Sequence, residues 1–190
     1  MRRWPTVLAI LLAGAALSSC ALVSTTAPQR ITSQIPFGLP NKTIPGTNGA
    51  RVRFATQPVY FIDATDNLAP SSRIVTYPAA LDTVISQLIL GPTDIERSAG
   101  YSSDLPKKLV LLSANVRGEI GYVNFATPLN SLSREDQVLA VGQLVLTSYD
   151  IGATQGIVIK VDGVTQHVLT PNGTRTTLAT PRAFESLLDD

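Results

Sequence analysis

Residues 91–100 read GPTDIERSAG, between an apolar run, LDTVISQLIL at 81–90, and a polar SSDLP at 102–106. A glycine-bounded, polar segment of this kind is either a loop that cradles a ligand or the punctuation between two helices. The flanking periodicity favours punctuation. Leu81, Val84, Ile85 and Leu88 stand at i, i+3, i+4 and i+7, one apolar stripe of a helix whose pattern opens at Pro78, with Asp82, Thr83, Ser86 and Gln87 opposite. Gly91 suits the left-handed position after a helix, and Pro92 cannot continue one. Thr93 followed three residues later by Glu96 has the form of a capping box, in which each residue satisfies an orphan backbone donor of the other's turn. Gly100 then closes one short helix. Every residue type in the stretch has a backbone role, so it reads as stop, cap and stop.

Upstream of this block lie two short β-rich runs, Val59–Ile62 and Ile74–Tyr77, with DATDNLAPSS between them as a turn region. Downstream, LVLLSANV and EIGYVNF form a hairpin signal joined at Arg117-Gly118. Ser133 caps a second long helix with an acidic first turn, Glu135 and Asp136. Its apolar residues Val138, Leu139, Val141, Leu144, Val145 and Leu146 nearly encircle it, which predicts deep packing. QGIVIKVDGVTQHVL reads as two strands turning at Asp162-Gly163. Thr180-Pro181 has the form of an N-cap with proline in the first turn, followed by Phe184, Leu187 and Leu188, a short helix able to dock on the domain. The expected fold is therefore α+β in two layers: a small, mainly antiparallel sheet with two principal helices on one face.

The start of the chain is a different kind of signal. MRRWPTVLAILLAGAALSSC carries Arg2 and Arg3, an uncharged stretch from Trp4 to Leu17, and small residues before Cys20. That is the charge, apolar and processing order of an exported protein's signal segment. Its continuously apolar part, Val7 to Leu17, falls short of the roughly 20 residues a spanning helix needs. Leu17-Ser18-Ser19-Cys20 resembles the bacterial lipobox. The resemblance implies cleavage between Ser19 and Cys20, a diacylglycerol thioether on Cys20, and a further acyl chain such as palmitate on the new terminus. Two or more chains give stable anchoring where one is marginal. Cys20 is the only cysteine, so no intramolecular disulfide, cysteine nucleophile or cysteine-based metal site is available. Discarding the 19 residues before Cys20 leaves 171, enough for one domain with its own core. Losing Arg2 and Arg3 leaves 13 basic residues against 14 acidic, without a like-charge run, so a nucleic-acid groove is not expected.

These signals divide the chain into a signal peptide at 1–19, a lipidated cysteine and Pro/Thr/Ser-rich tether at 20–52, a folded domain at 53–170 and a tail with a short helix at 171–190. Pro28, Pro36, Pro40 and Pro45 break regular structure in the tether. As a flexible coil it spans on the order of 30 Å. Ile35 and Phe37 are its apolar residues able to pack along the domain. The lipobox resemblance points to a bacterium, where the two Asn-x-Thr triplets, at Asn41 and Asn172, are expected to be incidental.

Taken in order, Val59-Tyr60-Phe61, LILGPT with Glu96 and Gly100, Ser103, Leu105-Pro106 and the Val-x-Gly hairpin from Val116 to Phe125 resemble the GerMN domain. The likeness covers about Pro58 to Leu169. The family is named for a spore-germination protein and also occurs in larger envelope lipoproteins that are encoded beside a sensor kinase. Asn124 stands where the family carries an aspartate, and Ala126 where it carries a small hydroxyl. The resemblance implies a small α+β domain akin to ring-building modules of secretion and sporulation machines, and protein–protein contact in the envelope rather than catalysis. It marks Gly91, Pro92, Thr93, Glu96, Gly100 and Pro106 as a structural motif.

Nothing in the residues supplies a reaction. His167, the only histidine, falls in an expected strand without a nucleophile elbow nearby. No paired histidines, HExxH or calcium-loop spacing predicts a metal; Asp63, Asp66 and Asn67 have the look of a solvated turn. No phosphate-binding fingerprint predicts a cofactor. The aromatics Tyr60, Phe61, Tyr77, Tyr122 and Phe125 are expected in the core. Two functions then fit. One is a membrane-tethered module, facing outside the cytoplasm, that docks another envelope protein through a sheet edge or helix face. The other is a carrier for a small apolar ligand or lipid, held between sheet and helices by residues such as Leu139 or Ile120. For the anchor common to both, radioactive fatty acid fed to cells should label the wild type. Cys20→Ala should abolish the label and leave the uncut precursor, seen as a heavier intact mass; an unlabelled wild type would refute the lipobox reading.

Overall fold

The computed structural model describes residues 52–188. The expected signal segment, the expected Ser19–Cys20 cleavage point and the expected tether to residue 51, Ile35 and Phe37 included, lie outside the described residues. Strand β1 (Phe54–Ile62) pairs antiparallel with β2 (Leu68–Thr76) as a two-stranded ribbon. Helices α1 (Leu81–Ile89) and α2 (Asp94–Ser98) follow, then β3 (Leu111–Arg117) and β4 (Ile120–Phe125). After a 3-10 turn at Leu129–Ser131 comes α3 (Arg134–Tyr149). Strands β5 (Gly156–Val161) and β6 (Val164–Thr165) complete a four-stranded sheet in the order β3-β4-β5-β6. A small hairpin of β7 (Val168–Leu169) and β8 (Arg175–Thr176) precedes a closing 3-10 helix at Pro181–Leu187.

The expected α+β layering is present. Along β4, Gly121, Val123 and Phe125 are buried while Ile120, Tyr122 and Asn124 are not, so one face of the sheet meets the helices. The predicted stripe of α1, Leu81, Val84, Ile85 and Leu88, is fully buried, and α3 is buried continuously from Ala140 to Ser148. These residues, with Phe61, Ile157, Ile159 and Phe184, form one main core.

Several expectations are corrected. The ribbon strands are each nine residues long, and the turn between them is only Asp63–Asn67. Pro58 and Pro70 disguised the strands in the sequence. The Tyr60 amide points away from β2, so the Tyr60–Pro70 pair exchanges no backbone bonds, nor does Pro58–Ser72 two residues on; a missing donor costs nothing there. Helix α1 opens at Leu81, not Pro78, because Ala80 is still extended as its N-cap. The β3–β4 turn lies at Gly118-Glu119, one residue later than expected, with Gly118 at φ +62°.

Strand β4 pairs in parallel with β5, the sheet's one parallel pair, and α3 supplies the crossover such a pair needs. The turn at Asp162-Gly163 forms as expected, both residues having positive φ, but β6 lasts two residues and β7 leaves to pair with β8. His167 therefore lies in the link between β6 and β7, exposed, and not in a strand. Tyr77 is half exposed rather than core, with the Arg53 guanidinium 4.6 Å from its ring centre. Thr180 precedes a 3-10 helix rather than an α-helix and makes no side-chain cap bond.

Residues 171–188 close over the domain. Ala179 exchanges two backbone hydrogen bonds of 2.9 Å with Ile157, and Phe184 is fully buried against α3. Gly156 permits this: a Cβ there would stand 2.3 Å from the Ala179 carbonyl oxygen. Emptying the Phe184 site should be costly. We expect Phe184→Ala to lower unfolding free energy by about 3 kcal/mol in urea titrations, as removal of a buried phenyl ring does; an unchanged midpoint would show that the tail is not part of the cooperative unit.

Candidate interaction surfaces and their supports

The GPT–Glu block folds as read and does more than punctuate. Leu90 caps α1, and Gly91 follows at φ +77°. The Thr93 hydroxyl accepts from the Glu96 amide, and the Thr93 amide donates to Glu96 Oε2 at 2.6 Å, a complete capping box. Gly100 follows α2 at φ +95°, its Cα against Ala64, where a Cβ would sit 3.0 Å from that side chain. Pro92 is buried and Pro106 half-buried.

The Glu96 carboxylate also reaches β2. Arg73 holds it with both guanidinium nitrogens, at 2.7 and 2.8 Å, and the Ser71 hydroxyl donates to Oε1. Arg73 in turn lies over the Phe61 ring, 5.1 Å from its centre. Both partners of this ion pair are largely buried. The bidentate guanidinium, outweighing the cost of burial, holds the Glu96 carboxyl far below the usual carboxylate range.

A second set of polar contacts lies deeper. Gln143 and Thr147, one turn apart on α3, are fully buried. Gln143 Nε2 donates to the Tyr60 carbonyl at 2.9 Å, and the Tyr60 amide donates to Thr147 Oγ1 at 3.0 Å. Gln143 Oε1 accepts from the Asp104 amide and the Ser103 hydroxyl, each at 3.2 Å. Gln143 and Thr147 carried no sequence signal of their own, because α3 read simply as apolar. The unbroken burial of that helix was the clue that its polar residues must be bonded inside.

Several edges of the sheets are covered. Ile62 exchanges two backbone bonds with Ser102, beside Tyr60. The outer edge of β5 is met by Ala179 at Ile157, by the Gln166 amide at Ile159, and by β6 beyond. The Asn124 side-chain oxygen accepts from the Gly163 amide at 2.9 Å and ties β4 to the β5–β6 turn. Two edges stay open among the described residues: one is β2, which pairs with β1 and is otherwise met only at Leu68, by Leu188; the other is β3. Strand β3 pairs with β4 alone among the described residues, and at its start Val110 and Leu112 are 52% and 50% exposed. A register shift between Leu111 and Ser113 bends it near its start.

The remaining candidates separate. His167 opens on a surface cleft of about 570 Å³ with Arg134, Gln137 and Arg175, and no serine or carboxylate lines it. Asp63 Oδ1 accepts from the Thr65 amide and hydroxyl and the Asn67 amide, the solvated turn expected. Among the described residues no group of three or more His, Cys, Asp or Glu is placed to hold a metal. Leu139 lines a surface cleft of about 510 Å³ beside Val138, Pro171 and Leu187, whereas Ile120 is on the far face of the sheet. The two do not meet in one cavity. No helix among the described residues is long and apolar enough to cross a membrane.

A sequence model described as "Germane: Sporulation and spore germination" matches residues 58–167. The chain belongs to this family. Its fold is similar to that of the tandem GerMN domains of the sporulation protein GerM from Bacillus subtilis, at 13% identity and a TM-score of 0.52, covering 67% of this chain and 46% of that one. It is also similar to the first GerMN domain of the same protein, at 14% identity and a TM-score of 0.51, covering 67% of this chain and 98% of that one. The chain thus spans less than half of the tandem-domain structure. No curated protein sequence matches it. The fold assignment anticipated from the GPT block, Leu105-Pro106 and the Val116–Phe125 hairpin is met, and the family is not one of known enzymes.

The Glu96 carboxyl provides a pH test. Its folded pKa lies below the unfolded value, so its stabilisation is present above about pH 4.3 and is lost as pH falls. Asp104, pushed upward by burial and by Asp136 and Asp66, works in the opposite direction. The comparison of interest is therefore between chains. The stability advantage of wild type over Glu96→Gln should be largest near neutrality and shrink on acidification towards pH 3, followed by thermal melts. A gap independent of pH would show that the pairing with Arg73 does not bear on stability.

Proposed function

We propose that this chain is a lipid-anchored extracytoplasmic protein whose GerMN domain assembles with another envelope protein by accepting a strand on the open edge of β3. The single observation behind this reading is that β3, an edge of the four-stranded sheet, pairs with β4 alone among the described residues and carries half-exposed Val110 and Leu112 at its start. Folded proteins usually blunt exposed edges, and an edge with half-exposed Val110 and Leu112 at its start offers both backbone groups and apolar contacts to a partner. The bend near Leu112 confines regular pairing to Ser113–Arg117, five residues, suited to a short added strand. The membrane anchor at Cys20 would confine domain and partner to one surface, so modest affinity suffices.

Cross-linking in native membranes tests this directly. A photo-reactive residue at Ser113 or Asn115 should trap a reproducible partner, and Val110→Lys with Leu112→Lys should abolish the adduct while leaving the melting temperature near that of wild type. Adduct formation indifferent to these charges, or background cross-linking alone, would dismiss the β3 edge as the assembly surface.

A further inference from the structure

Exposed apolar side chains gather at one place. Val52, Phe54, Ile74 and Tyr77 are 65%, 67%, 74% and 51% exposed, and all four stand at the open end of the β1–β2 ribbon. Phe54 pairs with Thr76 and Thr56 with Ile74, so Phe54 and Ile74 share a face on neighbouring rungs. Val52, two residues before Phe54, extends the same row. The alternate residues Ala55 and Val75 turn inward to the core. At the tip of the ribbon Tyr77 donates its amide to the Arg53 carbonyl at 2.8 Å, and the Arg53 guanidinium covers the Tyr77 ring. By the same alternation this pair lies on the other face from Phe54 and Ile74, so the ribbon end carries exposed side chains on both faces. Bulky aliphatics, a phenyl ring and a tyrosine–arginine stack are the side chains suited to the headgroup boundary of a bilayer.

Charge points to the same occupant. From Cys20 to Ile62 the chain carries Arg30, Lys42, Arg51 and Arg53 and no acidic residue; the first carboxylate is Asp63. That turn lies at the opposite end of the ribbon, roughly 30 Å away at the rise of an extended strand. All 14 acidic residues therefore fall from Asp63 onward. The exposed apolar end is thus continuous with a segment of purely positive charge, which an anionic lipid surface attracts. Position completes the case. Val52 follows Cys20 after 31 residues, so the patch is the described part of the chain nearest the anchor in sequence.

We propose that the open end of the β1–β2 ribbon is a membrane-docking surface. Phe54, Ile74, Val52 and Tyr77 enter the headgroup region of an anionic bilayer, and Arg53 meets lipid phosphate. The inference rests on the lipid-anchor reading for placing the domain beside a membrane. Docking would give the domain a fixed orientation, ribbon end down.

The test exploits a feature of the sequence: the only tryptophan, Trp4, lies before Cys20, so a mature chain has none. Unacylated chain from residue 20 with Cys20→Ser and Phe54→Trp is mixed with vesicles of phosphatidylglycerol and phosphatidylcholine, some brominated along the acyl chain. The fluorescence should shift to the blue and be quenched by the bromine, both effects weakening in pure phosphatidylcholine and in high salt. Val164→Trp, at an exposed site in the other sheet, should show neither. Replacing Phe54 and Ile74 by serine should lower the ratio of vesicle-bound to free protein about ten-fold. The proposal is overturned if Trp at position 54 ignores anionic vesicles. It is equally overturned if that Trp is already shielded from iodide without lipid, showing that the chain's own tether covers the patch, or if shielding follows protein concentration, showing self-association. Because the protein used carries no acyl group, failure here leaves the anchor reading intact. Absence of acylation in cells would sink the anchor without altering the vesicle result.

Discussion

The backbone of Tyr60 is the point on which the architecture turns. The β1–β2 ribbon shares no ladder with the four-stranded sheet, so its inner edge needs partners from elsewhere. An unpaired amide or carbonyl in that buried position would cost on the order of 1–3 kcal/mol. Thr147 and Gln143 meet both groups from α3, and Ser102 continues the edge at Ile62. The helix thereby acts as the missing strand. Two side chains one turn apart can do this because residues at i and i+4 share a helix face. Gln143 also takes the Asp104 amide and the Ser103 hydroxyl, so one buried amide joins the ribbon, α3 and the chain leading to Leu105-Pro106.

The Glu96 carboxylate is the counterpart near the surface. A capping box needs only one of its oxygens, and the other accepts from Ser71 while Arg73 holds both. Local and tertiary demands are met by the same side chain. Glutamine could close the box, but with one acceptor oxygen and no charge it could not hold the Arg73 guanidinium through two oxygens. Phe61, buried beneath Arg73, links this latch to the core that α1 and α3 share.

Seen together, these contacts leave the surface uneven. Backbone edges are met at Tyr60 and Ile62 of β1 and along β5 and stay open along β2 and β3, while exposed apolar residues concentrate at the end of the ribbon from which the chain runs toward Cys20. The proposed partner edge and the proposed lipid-facing end belong to different sheets. A domain held at one end and open along another edge is suited to presenting a strand-accepting surface in a set orientation above a bilayer.

Much of this was legible in the residues. The stripe Leu81–Leu88, the stop at Gly91-Pro92, the capping box, the Ser133 cap and the turn at Asp162-Gly163 all depend on contacts within a few residues, and each formed as read. What failed or stayed hidden depends on distant partners. Pro58 and Pro70 looked like breakers because their harmlessness requires knowing which way each backbone nitrogen points in the paired ribbon. The parallel alignment of β4 and β5 needs the crossover direction of α3, and the shortness of β6 follows from β7 leaving to pair with β8. Local chemistry determined where each element starts and stops; tertiary structure alone decided which polar groups meet, since Arg73 finds Glu96 across 23 residues and Gln143 finds Tyr60 across 83.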